Sequence, residues 1–250
     1  MEAINPQASP FLLSGNTDTA CLFIHGFTAS PSEVYPVGQL LHGMTGCTVS
    51  GPLLPGHGCS PQDLNQTCWQ DWFFCIEQEL ESLQELYSRV FIAGLSMGGL
   101  LALHAASKIR GLNGVIAINT PIITKFPLQM AAAPLIRYFR PFHPKKIGSA
   151  DEEMVEEGRF AYPVMPIKAL ISMKQLRKIV IREISALNLP ILLFQSLLDE
   201  SINPNSAEYI KERAGQVRVR LVELRNSGHI ATMGPEKLTI AEEMARFMTI

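Results

Sequence analysis

Residues 90–103 read VFIAGLSMGGLLAL. Val90 to Ala93 form a short apolar run, as in a buried strand, and Gly99 to Leu103 continue as a helix would. Between them one serine, Ser96, stands in the frame Gly94-Leu95-Ser96-Met97-Gly98. A strand that turns sharply into a helix needs small flanking residues, because side chains there would collide with neighbouring elements. Such a turn lifts the Ser96 hydroxyl to the edge of a sheet, beside a helix N-terminus whose free N–H groups favour a developing negative charge. Five common residues are a weak signal by themselves; their position between a strand and a helix is what gives them weight.

Outward from this turn, strands and helices alternate. On the N-terminal side, ACLFIHGF (20–27) reads as an apolar strand ending at His25-Gly26. SPSEVYPVGQLLHGM (30–44) reads as a helix, with Ser30 as its cap, Pro31 in the first turn and Glu33 completing a capping box. CTVSGPLLPGHG (47–58) reads as a strand and a Gly/Pro loop. In residues 69–87, Trp72, Ile76, Leu80, Leu83 and Tyr87 fall at helical spacing. On the C-terminal side, GVIAIN (114–119), PILLFQS (190–196) and VRVRLVEL (217–224) read as strands. Residues 203–214 and 235–248 read as helices, each with a proline near its start. This alternation predicts an α/β fold with a mainly parallel sheet covered by helices on both faces.

The rhythm breaks over approximately residues 121–188, which carry Pro121, Pro127, Pro134, Pro141 and Pro144, the acidic patch Asp151 to Glu157, and a helical stretch from Met165. No strand is evident there. The expectation is one domain over residues 1–250 with an inserted cap at about 121–188.

Composition narrows the class. At 250 residues the chain suits one such domain. With 47% hydrophobic and 18% charged residues, it has enough apolar surface to build a core. A net charge of −2 without a long basic run argues against a nucleic-acid partner. No window approaches the roughly 20 apolar residues of a membrane span, and there is no strongly basic amphipathic helix, so no stable membrane insertion is expected. The N-terminus lacks a basic start and an apolar run of signal-peptide length. Cys21, Cys47, Cys59, Cys68 and Cys75 are odd in number and form no CxxC pair, which favours reduced thiols and a cytoplasmic setting over a disulfide framework or a zinc site.

A serine hydroxyl becomes nucleophilic only when a base takes its proton. Of the six histidines, His229 in ELRNSGHIATM (223–233) follows the last strand and so reaches the same sheet edge as Ser96. His104 falls inside the helix after Ser96 and reads as a packing residue, His42 as a helix-surface residue, and His143 as part of the insertion. His25 and His57, each beside glycine, read as loop-shaping. The base needs an acid to hold its tautomer. Asp199, just after the strand at 190–196, is the first choice, with Glu200 the runner-up. An oxyanion hole takes two N–H donors: Met97, next after the nucleophile, and Phe27 in the loop after an early strand. Ser96, Asp199 and His229, each after its own strand and in that order, form the chain order of an α/β-hydrolase site.

The blocks HGFTASPSE, LPGHG, DW, GLSMGG, DESINPNSA and LRNSGHIATM occur here in that order. They resemble those of the bacterial carboxylesterase and monoacylglycerol lipase group of α/β hydrolases, from about residue 20 to 248. The likeness is weakest across the insertion, where only the length and MPIKALISM (165–173) are similar. The resemblance implies catalytic Ser96, Asp199 and His229, oxyanion amides of Phe27 and Met97, and no metal or organic cofactor. It also implies hydrolysis of carboxylic esters, short- to medium-chain acyl esters or monoacylglycerols, through an acyl-enzyme. The small-molecule partner is then an ester with an apolar acyl chain. Residues 123–139 are candidate lining for that chain or, at helical spacing, the packing face of the cap on the sheet. The same fold and triad also serve acyl-thioesters and other acyl transfers, which makes a thioesterase the alternative. A non-catalytic ligand receptor would be expected to lose a triad member or a glycine of the turn, and none is lost here.

Overall fold

The computed structural model describes residues 3–125, 139–145 and 149–249. Its strands are β1 (Phe11–Leu13), β2 (Thr19–Ile24), β3 (Thr48–Gly51), β4 (Arg89–Leu95), β5 (Leu112–Ile118), β6 (Phe142–Pro144), β7 (Val164–Pro166), β8 (Ile191–Ser196) and β9 (Val219–Leu224). Seven of them form one sheet in the order β1-β3-β2-β4-β5-β8-β9. All neighbours are parallel except β1, which pairs antiparallel with β3 at the sheet's edge. The helices are α1 (Tyr35–Thr45), α2 (Pro61–Leu64), α3 (Trp69–Leu86), α4 (Met97–Lys108), α5 (Ser149–Glu156), α6 (Ile167–Glu183), α7 (Ser206–Arg213) and α8 (Lys237–Met248).

Successive strand residues point to opposite faces, so a strand buried on both sides feeds two cores. Leu22, Ile24, Ile92, Val115 and Leu193 join one cluster, with Trp72, Ile76 and Leu80 of α3 and Leu100 of α4. Their neighbours Cys21, Phe23, Phe91, Ile116 and Leu192 join the other, with Leu41 of α1 and Ile240 and Met244 of α8. Each such side chain contributes roughly 1.5–3 kcal/mol by burial, which is why the strands read as continuous apolar runs. Gly46, at φ +67, ends α1 in the left-handed conformation, donating its N–H to His42 O. Trp72, Ile76, Leu80 and Leu83 face inward as their spacing implied, while Tyr87 lies just past the end of α3.

Three expectations are corrected. Ser30 does not cap a helix, and Glu33 does not complete a capping box: Pro31–Glu33 form one 3-10 turn, and α1 begins only at Tyr35. The Ser30 hydroxyl instead meets Ser32 Oγ at 2.7 Å and donates to Phe160 O at 3.2 Å, and Glu33 is ion-paired with Arg159 at 2.7 Å. Partners from the insertion outcompete the local cap. The insertion does contain strands, β6 and β7, paired antiparallel. At three residues each they are too short to show a period. Strand β1 likewise carried no signal, being three residues on an exposed edge.

All five cysteines are unpaired. Among the described residues no helix is long and apolar enough to cross a membrane.

Candidate active site

Ser96 stands between β4 and α4 at φ +55, ψ −115. A non-glycine residue held there costs about 1–3 kcal/mol, so the surroundings must impose it. They do so through the backbone. Ser96 N–H donates to Ile118 O at 2.8 Å, and Ser96 O accepts Gly99 N–H at 2.9 Å. A Cβ on Gly94 would lie 2.1 Å from the Gly98 carbonyl, and one on Gly98 would lie 2.3 Å from Ile24 O. The two glycines that flank the serine are therefore required by close backbone contact.

The Ser96 hydroxyl donates to His229 Nε2 at 2.9 Å, and His229 Nδ1–H donates to Asp199 Oδ2 at 2.8 Å. Asp199 is buried, and its other oxygen accepts the N–H groups of Ser201 at 2.8 Å and Ile202 at 2.9 Å. These bonds fix the carboxylate plane and keep it an acceptor toward Nδ1, which leaves the lone pair of Nε2 facing the serine. Burial disfavours the charged His229 ring, but the bond to and charge of Asp199 outweigh it, with Glu200 and Glu33 adding in the same direction. The pKa lies above its ordinary value. The structure thus brings Ser96, His229 and Asp199 together. Glu200, the alternative acid, takes a different place: its Oε2 accepts the His229 backbone N–H at 3.2 Å.

Met97, the first residue of α4, is buried, and Phe27 lies in the loop after β2. Neither N–H is hydrogen-bonded to an acceptor among the described residues. The Phe27 loop is shaped by Thr28 at φ +65 and by His25. His25 is fully buried; its Nδ1–H donates to Gly26 O at 2.9 Å, and its Nε2 accepts Leu54 N–H at 3.2 Å. Burial, partly opposed by the Gly26 bond and by Glu33, lowers its pKa to about 4. His57, packed on His25 and Trp72, is pushed well down by burial and by His25. Both rings are neutral loop-shaping groups, as the sequence implied. His104 donates to Glu183 at 2.7 Å between Trp69 and Phe73, also in the packing role expected of it. His42 Nδ1 bonds Cys47 O, and His143 lies in β6.

Two groups near the site were missed by sequence reasoning. Glu33 is buried, and its Oε2 has no hydrogen-bond partner among the described residues. A Cβ on Gly26 would lie 3.0 Å from this oxygen and 3.7 Å from Ser96 Cβ. Arg159 neutralises Glu33 from the insertion. Beside that pair, Tyr162 N–H donates to Thr28 O at 2.8 Å and Phe160 N–H to Ser32 Oγ at 2.9 Å. The second missed group is Asn119, at the end of β5. Among the described residues, no group of three or more His, Cys, Asp or Glu is placed to hold a metal ion.

Comparison with known proteins agrees with this fold. A family model described as the alpha/beta hydrolase family matches residues 21–241. The chain is 29% identical over 242 residues to a thermostable monoacylglycerol lipase of Bacillus sp. (strain H-257), covering 96% of this chain and 94% of that one. It is 26% identical over 249 residues to a carboxylesterase of Bacillus subtilis (strain 168), covering 99% and 98%. Among solved structures, one from work on the metagenome-derived lipolytic enzymes LipS and LipT superposes with a TM-score of 0.90 at 27% identity, covering 99% of both chains. The monoacylglycerol lipase of Paleococcus ferrophilus shares the fold, with a TM-score of 0.80 at 18% identity over 96% and 97% of the two chains.

Proposed function

Because the chain belongs to the alpha/beta hydrolase family, we propose that it is a serine esterase that cleaves carboxylic esters through an acyl-enzyme. The observation that carries this reading is the hydrogen-bonded line Ser96–His229–Asp199. The Bacillus relatives named as a monoacylglycerol lipase and a carboxylesterase support the ester class. His229 takes the proton of Ser96 as Oγ attacks the ester carbonyl. The Phe27 and Met97 amides receive the oxyanion, each donor contributing about 3 kcal/mol. His229 then protonates the departing alcohol, and water repeats the cycle to release the acid. Asp199 holds the imidazole tautomer and stabilises the imidazolium. The scheme calls only on protein groups and water.

The substrate in this reading is a short- to medium-chain acyl ester or a monoacylglycerol. Support comes from an apolar cluster at the start of α6, where Ile167 and Leu170 pack with Met165, Met173 and the Phe27 ring. An acyl chain attached at Ser96 would meet this wall beside the Phe27 amide. The wall belongs to the insertion at about 121–188, to which we assign the role of a cap. Most of the other candidate lining, residues 123–139, lies outside the described residues. Five unpaired thiols suit a reducing compartment, which we take to be the cytoplasm.

A fluorophosphonate probe, which reacts with an activated serine whatever its substrate, tests the mechanism. Labelling is expected at Ser96, located by mass spectrometry, and is expected to vanish in Ser96→Ala and His229→Ala. A folded wild-type protein that takes no label would refute the reading. Turnover of p-nitrophenyl esters from C2 to C16 then tests the substrate class, with failure on every chain length counting against it.

A further inference from the structure

Asn119 follows β5 and is fully buried at φ +45. Asparagine is among the few non-glycine residues that visit this region readily, at some cost. Its side chain makes bonds of both kinds. Oδ1 accepts Ser196 N–H at 2.8 Å, and Nδ2 donates to Ser196 Oγ at 2.9 Å and to His229 O at 2.8 Å, with Gly228 O farther off at 3.3 Å. An N–H opposes the oxygen and carbonyls oppose the nitrogen, which fixes the orientation of the amide. Its backbone N–H donates to Phe194 O at 3.0 Å, and the carbonyl just before it, Ile118 O, receives Ser96 N–H at 2.8 Å.

Three segments meet here: the end of β4, whose Ser96 N–H is held by Ile118 O, the end of β8 at Ser196, three positions before Asp199, and the loop after β9 that bears His229. We propose that Asn119 is a positioning residue whose buried side-chain amide ties the strand end before Asp199 to the loop of His229, and so holds acid and base in register with the β5 end whose Ile118 carbonyl receives Ser96 N–H. The proposal rests on the esterase reading above. A buried polar network whose members are all satisfied is stiff, and this one offers few other geometries. Asparagine alone supplies a donor and an acceptor at the length needed. Aspartate would set an acceptor against the His229 carbonyl, and glycine would keep the backbone conformation while losing the link.

The test compares wild type with Asn119→Gly and Asn119→Asp in p-nitrophenyl butyrate turnover, fluorophosphonate labelling rate and thermal midpoint. For Asn119→Gly the expected result is a folded protein whose kcat and labelling rate fall about 10- to 100-fold while KM stays within about twofold, the scale of a reacting group misplaced by roughly 1 Å. Asn119→Asp keeps the shape and is expected to lose as much. It should also move the acid limb of the kcat profile to higher pH, because one more carboxylate joins Asp199, Glu200 and Glu33 around His229. Should Asn119→Gly not fold, Asn119→Asp decides. Folded variants that lose only thermal stability, or that change KM and not kcat, overturn the role. A wild type inert to both probes overturns the esterase reading and this role with it, whereas an active wild type with unaffected variants overturns this role alone.

Discussion

Around Ser96 the constraints are backbone packed on backbone, whereas around residues 159–162 of the insertion they are hydrogen bonds, mostly through side chains, and one ion pair. At the first place Gly94, Gly98 and Ile24 leave no room for a methyl group. At the second, Arg159 holds Glu33, Phe160 meets Ser30 and Ser32, and the Tyr162 hydroxyl donates to Gly56 O at 3.0 Å. Close-packed backbone has no intermediate state to yield into, so it fixes geometry outright. Polar tethers can be cut singly, each with a limited effect. The turn at Ser96 is therefore fixed and the insertion's grip on the Phe27 loop adjustable.

The largest effects belong on the backbone side. Gly98→Ala places a Cβ 2.3 Å from Ile24 O and 2.8 Å from His25 O, with no flexible side chain to give way. Either β2 or α4 must shift, and the Phe27 loop shifts with β2. Expected are complete loss of fluorophosphonate labelling and a stability loss at the upper end of single substitutions, about 4 kcal/mol or more. Urea unfolding beside the labelling assay checks both. A Gly98→Ala protein with near-normal turnover would mean that this turn also yields, and the contrast would disappear.

Cutting the ion pair should do less. In Arg159→Met, Glu33 loses its neutralising partner beside the Phe27 loop. On the proposed mechanism a negative charge there disfavours the oxyanion, so kcat should fall about 10- to 100-fold, equivalent to ~1–3 kcal/mol of transition-state stabilisation. In that mechanism only neutral His229 acts as base. Asp199, Glu200 and Glu33 already hold its pKa up. With Glu33 uncompensated, the acid limb of the kcat profile should move to higher pH, and adding Glu33→Gln should bring it back. Stability has the opposite sign at this ring: a raised folded-state pKa stabilises the fold below its ordinary value and is lost as pH rises through the raised one. A pH–rate profile of the two single variants and the double variant separates these effects. A limb that stays in place in Arg159→Met would show that the tether acts only through packing.

The same contrast explains what could be read in advance. Ser96 and Asp199 follow strands that announce themselves by apolar runs, Val90–Ala93 and Ile191–Phe194, and His229 follows one whose apolar residues are interrupted by Arg220 and Glu223. A site at one edge of a parallel sheet is thus legible from local sequence. Glu33 looked like half of a capping box because its true partner stands 126 positions away, and no local rule couples such residues. Asn119 looked like the last residue of a strand, since its side-chain amide reaches the end of β8 and the loop after β9, far from it in sequence. The three-residue strands β1, β6 and β7 owe their existence to neighbours more than to any period of their own.

The smallest expected effect on catalysis lies at the far anchor of the insertion, and it sharpens the comparison by its silence. At the end of α6, Glu183 accepts His104 Nδ1–H at 2.7 Å and pairs with Lys108 at 2.7 Å. Partial burial opposes its ionisation, but the Lys108 and His104 bonds prevail and lower its pKa. The His104 ring fills the space between Trp69 and Phe73, with centroids 5.3 and 4.6 Å away. His104→Ala removes that packing and one hydrogen bond, which should cost about 2–4 kcal/mol in urea unfolding. Turnover of p-nitrophenyl butyrate by the folded fraction should stay within about twofold, because the tethers at Arg159, Phe160 and Tyr162 still hold the Phe27 loop. Were kcat to fall as far as in Arg159→Met, the insertion would be moving as one rigid piece. Its anchor on α4 would then govern the Phe27 loop as strongly as the local tethers do.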